Sequence, residues 1–365
     1  MKRLAIAALC LGVGLSACGN SNPFTVEEDT GTDGSGGSGG GSGTGIEGRG
    51  LPPGTTSPTP NTKIVRYEDV NDIGGGYVST VSYNNDAGQD EFTVDGIAFD
   101  GDNTYSRGTL VSSLGPFAVY ESDSSVVDPL TGNSIGTLDY RAIYGVSTSG
   151  QTEFAIVRSG DYGGYGFGGF IYQRNQTDDN GDPVSLVLPD NGDAQYNGDY
   201  AGTRVFNGRS GLEFVTGQAR MTIDFKDFNE GRNGVLLRVY NRRLFDANGT
   251  DITNTYLTAI EGLDTNKTAV HNTDGAGNNV MPEIRSRLSP GIADGNGELI
   301  GEIYSNIRYS DGSLLNLDTG SYYAIMSGQN AEEIVGVLVM EQNDPRGDPS
   351  AFNTQETGGF IIYRN

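Results

Sequence analysis

The 365 residues include no tryptophan, one histidine and two cysteines. Both cysteines, Cys10 and Cys18, lie near the N-terminus. The body of the chain therefore has no disulfide, no thiol nucleophile and no thiolate metal site. His271 stands in the polar, turn-rich stretch Thr268-Ala269-Val270-His271-Asn272-Thr273-Asp274-Gly275. It reads as a loop residue rather than a haem or zinc ligand, and no nucleophile elbow accompanies it. Basic residues are scarce as well, 23 Lys and Arg against 47 Asp and Glu, for a formal charge of −24. No nucleic-acid partner is expected of such a chain, because phosphate backbones need clustered Lys and Arg. A flat seat on anionic lipid is disfavoured for the same reason. No window carries a sustained helical stripe.

The one long apolar run is Leu4 to Leu15, too short to span a bilayer. It follows the basic pair Lys2-Arg3 and ends in Leu15-Ser16-Ala17-Cys18. That is the pattern of a bacterial lipoprotein signal peptide, residues 1–17, with Cys18 as the expected lipidated residue. The implied partners are the lipoprotein export machinery and the membrane, entered through acyl chains such as palmitate. Gly19 stands where aspartate commonly signals inner-membrane retention, which favours the outer membrane and surface exposure. Residues 18–62 are rich in Gly, Ser and then Pro, and read as a flexible tether with a stiffer end.

What remains is rich in β signals, and the expected class is all-β: a smaller antiparallel domain followed by an eight-stranded-type antiparallel barrel. Gly217 to Phe225 alternates, with Ala219, Met221, Ile223 and Phe225 on one face and Gln218, Arg220, Thr222 and Asp224 on the other. Val235, Leu237 and Val239 repeat the period, as do Phe92 and Val94 earlier. Turn dipeptides such as Asn248-Gly249 and Asp311-Gly312 punctuate the runs. The best helix candidate is short, Pro282 to Leu288.

Two segments match: Gly168-Gly169-Phe170-Ile171-Tyr172-Gln173-Arg174-Asn175 and Gly358-Gly359-Phe360-Ile361-Ile362-Tyr363-Arg364-Asn365. Upstream of them Ser149-Gly150-Gln151 matches Ser327-Gly328-Gln329. A shared closing strand implies two domains, at residues 63–175 and 193–365, joined by a linker over residues 176–192. The second copy is longer between its landmarks, which predicts a long hairpin loop over Gln342 to Thr357.

Gly328-Gln329-Asn330-Ala331-Glu332-Glu333-Ile334-Val335-Gly336 resembles the signature in the last barrel of transferrin-binding protein B and related surface lipoproteins, the factor H-binding ones included. Gly328, Ala331, Glu333 and Gly336 carry the match, while Gln329 stands where proline is usual and Met326 near an expected aromatic. Tyr196 to Gly202 and Val215 to Ala219 resemble the opening of that barrel. The resemblance implies the barrel and the binding of a protein or iron-carrier ligand through barrel-rim loops, without catalysis. In physical terms the four signature residues read as architecture: two glycines for close approach, a small alanine, and a glutamate opening a strand.

Three further motifs bear on function. Asp318-Thr319-Gly320 follows an apolar residue as in aspartic proteases, but the chemistry needs a second aspartate sharing its proton. The first half offers Leu138-Asp139-Tyr140-Arg141 instead, so only a homodimeric protease would remain. Acidic runs at Asp178 and Asp294 lack the glycine and distal glutamate of an EF-hand loop and read as hairpin turns, leaving no metal or cofactor expected. Tyr162, Tyr165 and Phe167 stand on a glycine-rich hairpin as candidate partner-binding aromatics, with Arg346 a second candidate. A structural or adhesive surface protein without a specific ligand is the alternative reading.

Overall fold

The computed structural model describes residues 50–84, 88–98, 100–160, 164–347 and 353–365. The expected signal peptide, Cys18 and most of the expected tether lie outside the described residues.

The first half supplies β1 (Ile64–Tyr67), β2 (Thr80–Asn84), β3 (Glu91–Asp95), β4 (Thr104–Arg107), β5 (Ser113–Leu114) and β6 (Phe117–Glu121). A small ribbon of β7 (Ser125–Val127) and β8 (Ser134–Gly136) follows, then β9 (Arg141–Val146), β10 (Thr152–Arg158) and β11 (Gly168–Arg174). All but the ribbon form one curled sheet, ordered β1-β11-β10-β9-β6-β4-β3-β2 with β5 on β6. One of its hydrophobic clusters gathers Phe92, Tyr105, Tyr120, Tyr140 and Tyr144.

The second half begins with β12 (Asp193–Asn207), β13 (Leu212–Asp224), α1 (Phe225–Asn229), β14 (Val235–Asp246) and α2 (Thr253–Glu261). Three two-residue strands follow: β15 (Ala269–Val270), β16 (Asn272–Thr273) and β17 (Asn279–Val280). The chain ends with β18 (Ile284–Ser286), β19 (Glu298–Tyr309), β20 (Leu314–Ser327), β21 (Glu333–Asn343) and β22 (Asn353–Arg364). The order β19-β18-β14-β13-β12-β22-β21-β20, with β20 returning to β19, closes an eight-stranded antiparallel barrel. Closure removes the edges that an open sheet would expose.

The barrel has two unlike walls. Along β21 every residue from Glu333 to Val337 is buried. Ile334, Leu338 and Met340 enter the barrel interior, and Val335 and Val337 pack outward against Phe154, Ile156 and Phe170 of the first sheet. A strand buried on both faces reads as an unbroken apolar run, which is why Ile334-Val335-Gly336-Val337-Leu338-Val339-Met340 shows no alternation. Gly359 makes that contact possible, since a Cβ there would lie 2.2 Å from the Phe154 ring. The opposite wall, β13, β14, β18 and β19, keeps the alternation seen in sequence over residues 219–223, 235–239 and 303–307, apolar side in and polar side out.

Two expectations need correction. Pro282–Leu288 is not a helix: Ile284 and Ser286 are buried on either side of exposed Arg285, the period-two pattern of strand β18. The extra residues of the second copy mostly lengthen strands, since β21 runs to Asn343 and β22 starts at Asn353. Long barrel strands, rather than a long loop over Gln342 to Thr357, therefore absorb most of the difference.

Candidate functional site

The open wall carries a row of side chains set by strand register. Arg220 lies directly opposite Arg238, Arg238 opposite Arg285, and Arg285 opposite Tyr304. Each strand was built with an arginine on its wet face; pairing aligns the three at neighbouring positions, about 5 Å apart across strands. Directly opposed like charges destabilise a sheet, so this row is held against its own repulsion. One acid lies beneath it. Glu283 accepts from Arg238 through Nε and, at 2.9 Å, through Nη2, and from Arg285 Nη2 at 3.0 Å. Burial would raise the Glu283 carboxyl, but the two arginines outweigh it and hold it below the usual range.

The row is flanked by further cations and rings. Arg220 donates through Nε to Asn197 at 2.8 Å, and its guanidinium lies 5.4 Å from the Tyr240 ring. Arg287 sits 4.8 Å over the Tyr304 ring, with Glu302 at 3.5 Å. Arg308 is exposed further along β19. Among the described residues neither Arg220 nor Arg308 has a carboxylate partner. Three clefts of 280, 580 and 390 Å³ run along the row and share Arg238, Glu283, Arg285, Tyr304 and Asn272 between them. The ribbon β16–β17 overhangs two of them through Asn272. An exposed guanidinium row with flanking tyrosines is suited to holding an anion.

A second charged cluster is spent inside the barrel. A bulge at Asn241 (φ +52) resets the alternation, so Tyr240 faces out and Arg242 in. Arg242 donates to both oxygens of Glu356, at 2.7 and 2.6 Å, and Tyr200 donates to the same carboxylate at 2.7 Å. Arg204 lies 3.5 Å from Asp344 and 4.7 Å over the ring of Tyr256, delivered by α2. Burial raises the Asp318 carboxyl against the pull of Arg242, and Ser305 donates to it. A homodimeric aspartic-protease dyad is thereby excluded: Asp318 is enclosed and cannot face a second copy.

The residues singled out in sequence fall in three places. Cys18 and Tyr162 lie outside the described residues. Tyr165 is 4 % exposed, packed in the layer between sheet and barrel, and its hydroxyl is pushed up to about 12 by burial. It is a core residue, not an exposed anchor. Phe167 is half-buried, edge-on to Tyr77 at 5.7 Å. Arg346 is tied by two bonds to Glu213, at 2.7 and 2.9 Å, and by two to Asp344, at 2.9 and 2.6 Å, so its guanidinium is already occupied.

Of the resemblance-bearing residues, Glu333 sits where sheet and barrel meet. Glu333 accepts from Ser149 at 2.6 Å and Thr152 at 2.7 Å, both of the first half. Gly328 has φ +100. Gly336 leaves room for Phe360, whose ring would lie 2.3 Å from a Cβ there. Ala331 is buried at φ +48, and its carbonyl accepts from the Tyr196 hydroxyl at 2.6 Å. The arginine row was missed in sequence. Arg220 was visible on a wet face, but nothing local to each strand reveals that three such positions share one register.

No family model matches the chain, and no curated protein matches it. Among solved structures, a transferrin-binding protein B variant from Haemophilus parasuis Hp5 aligns at 11 % identity and a TM-score of 0.33, covering 75 % of this chain and 40 % of that one. An intact transferrin-binding protein B with N and C lobes aligns at 12 % identity and 0.29, covering 75 % and 51 %. A Nostoc punctiforme protein of unknown function aligns at 10 % identity and 0.21, covering 83 % and 88 %. The chain thus spans about two fifths to one half of the transferrin-binding structures. Its functional reading rests on its own residues.

Proposed function

We propose that this chain is a binding protein of the bacterial surface, anchored to the outer membrane through lipid on Cys18, which holds an anionic partner on the open wall of its barrel. The observation that carries the binding reading is the Arg220–Arg238–Arg285 row. A chain of charge −24 places three of its 23 basic residues in direct opposition, with one shared carboxylate beneath. Glu283 offsets the repulsion between Arg238 and Arg285 from one side, and an anion above the row offsets the remainder. The first sheet covers the opposite wall and leaves this one exposed. The reading shifts partner binding from the Tyr165 hairpin and Arg346, both engaged internally, to the wall.

The test exploits the charge. At neutral pH a protein of such low isoelectric point should flow through a cation exchanger. Retention of the full chain at low salt, lost in the Arg220→Gln/Arg238→Gln/Arg285→Gln variant, is the expected result. Flow-through of the unaltered chain contradicts the reading. For the anchor, Cys18→Ser should release the protein from membranes, since each buried methylene of an acyl chain contributes about 0.8 kcal/mol. Unchanged membrane fractionation would exclude lipid attachment at Cys18.

A further inference from the structure

We infer that the anion held on the open wall belongs to an acidic polysaccharide, whose carboxylate or sulfate groups meet the arginine row while its sugar rings lie against Tyr304 and Tyr240. The inference rests on the binding reading above and narrows its ligand.

The lining of the clefts separates a glycan from an acidic protein. Protein interfaces bury an apolar centre inside a polar rim. Here the residues shared between clefts are polar, Arg238, Glu283, Arg285, Tyr304 and Asn272, while Val280, Met281, Leu236, Leu288 and Leu314 each line a single one of the three. Amides offer a donor and an acceptor each, which suits hydroxyl-rich ligands. Tyrosine rings add flat apolar area against which the C–H face of a sugar packs. Arg287 lies 4.8 Å over the Tyr304 ring and fixes it in place, adding a cation beside it.

The geometry also fits an extended chain. The three clefts join across β13, β14, β18 and β19, at right angles to the strands, over a span of about 14 Å. Neighbouring arginines are spaced at about 5 Å, close to the length of one hexose unit. Bonding to Glu283 uses Nε and Nη2 of Arg238 and Nη2 of Arg285. The remaining N–H groups of those two side chains are the donors left for a ligand above the wall, and guanidinium forks match carboxylate and sulfate geometry.

The experiment is isothermal titration of the full chain with four probes: an oligogalacturonate, a heparin oligosaccharide, a neutral dextran oligosaccharide and poly-glutamate. Variants are Arg285→Gln and Tyr304→Leu, both on the outer wall, checked for intact fold by circular dichroism. The expected result is binding of one or both acidic oligosaccharides and none of dextran. Tyr304→Leu should weaken that binding at least tenfold, and Arg285→Gln should weaken both that binding and cation-exchanger retention. Binding of poly-glutamate as tight as either glycan, indifferent to Tyr304→Leu, would overturn the inference and identify an acidic protein while leaving the binding wall in place. Failure of every probe to bind a chain that the exchanger still retains would overturn it too. Binding indifferent to Arg285→Gln and to the triple glutamine variant would overturn both this inference and the function it rests on.

Discussion

The covered and open walls of the barrel are both antiparallel ladder and differ most in what their outward positions carry. On the covered wall Val335, Val337, Ile361, Ala201 and Val205 meet the first sheet. On the open wall the corresponding positions are Arg220, Arg238, Arg285 and Tyr304. Apolar outward residues are explained by the sheet that buries them. The arginine row is compensated within the fold only in part, by Glu283 at Arg238 and Arg285 and by Asn197 at Arg220, and stability alone would favour alternating charge or threonine at those positions. The difference separates what the barrel needs to stand from what it presents to a partner.

The largest effect should come from placing a charge on the covered wall. Val337 is fully buried between barrel and sheet, and Val337→Asp leaves a carboxylate there without a partner. A loss of about 4 kcal/mol or more is expected, read as a collapse of the urea midpoint. A smaller loss follows from overfilling the same contact. Gly359→Val drives side-chain atoms into the Phe154 ring and should cost about 1–3 kcal/mol in the same denaturation experiment. Retention of full stability by either variant would mean that the sheet does not seal this wall.

The interior network sharpens the comparison, because its charges are matched and those of the open wall are not. At Asp344 burial acts to raise the carboxyl, yet the bonds from Arg346 and the charge of Arg204 outweigh it and hold the group at about 2. The folded value is thus below the unfolded one of about 3.9. The linked stability is complete above the unfolded value and is lost as pH falls through the folded one. Its size is about 2–3 kcal/mol. Asp344→Asn should therefore lower stability at pH 7 and flatten its decline between about pH 4 and 2, measured by urea denaturation across that range. An unaltered acid limb would remove Asp344 from the account.

Much of the barrel was legible in sequence because its signal is local. The alternation of Ala219, Met221 and Ile223 marked β13, and Val235, Leu237 and Val239 marked β14. The repeated Gly-Gly-Phe-Ile segment marked β11 and β22, the strands whose glycines admit Val78 and Phe154 respectively. Non-local facts were hidden. Tyr165 looked exposed because its flanking glycines suggested a loop tip, yet it inserts into the layer between sheet and barrel. Arg346 looked free in an acidic stretch, but its partner Glu213 lies on β13, far away in sequence. Pro282–Leu288 looked helical because seven residues cannot distinguish a short helix from a three-residue strand. The arginine row depends on register across two pairings, which no single strand encodes.

The most direct test of the claim that the open wall serves a partner rather than the fold is the unfolding free energy of Arg220→Gln/Arg285→Gln. With repulsion along the row relieved, stability should be unchanged or higher by up to about 1 kcal/mol. A loss comparable to that of Gly359→Val would show that the row holds the barrel together, and would contradict the account.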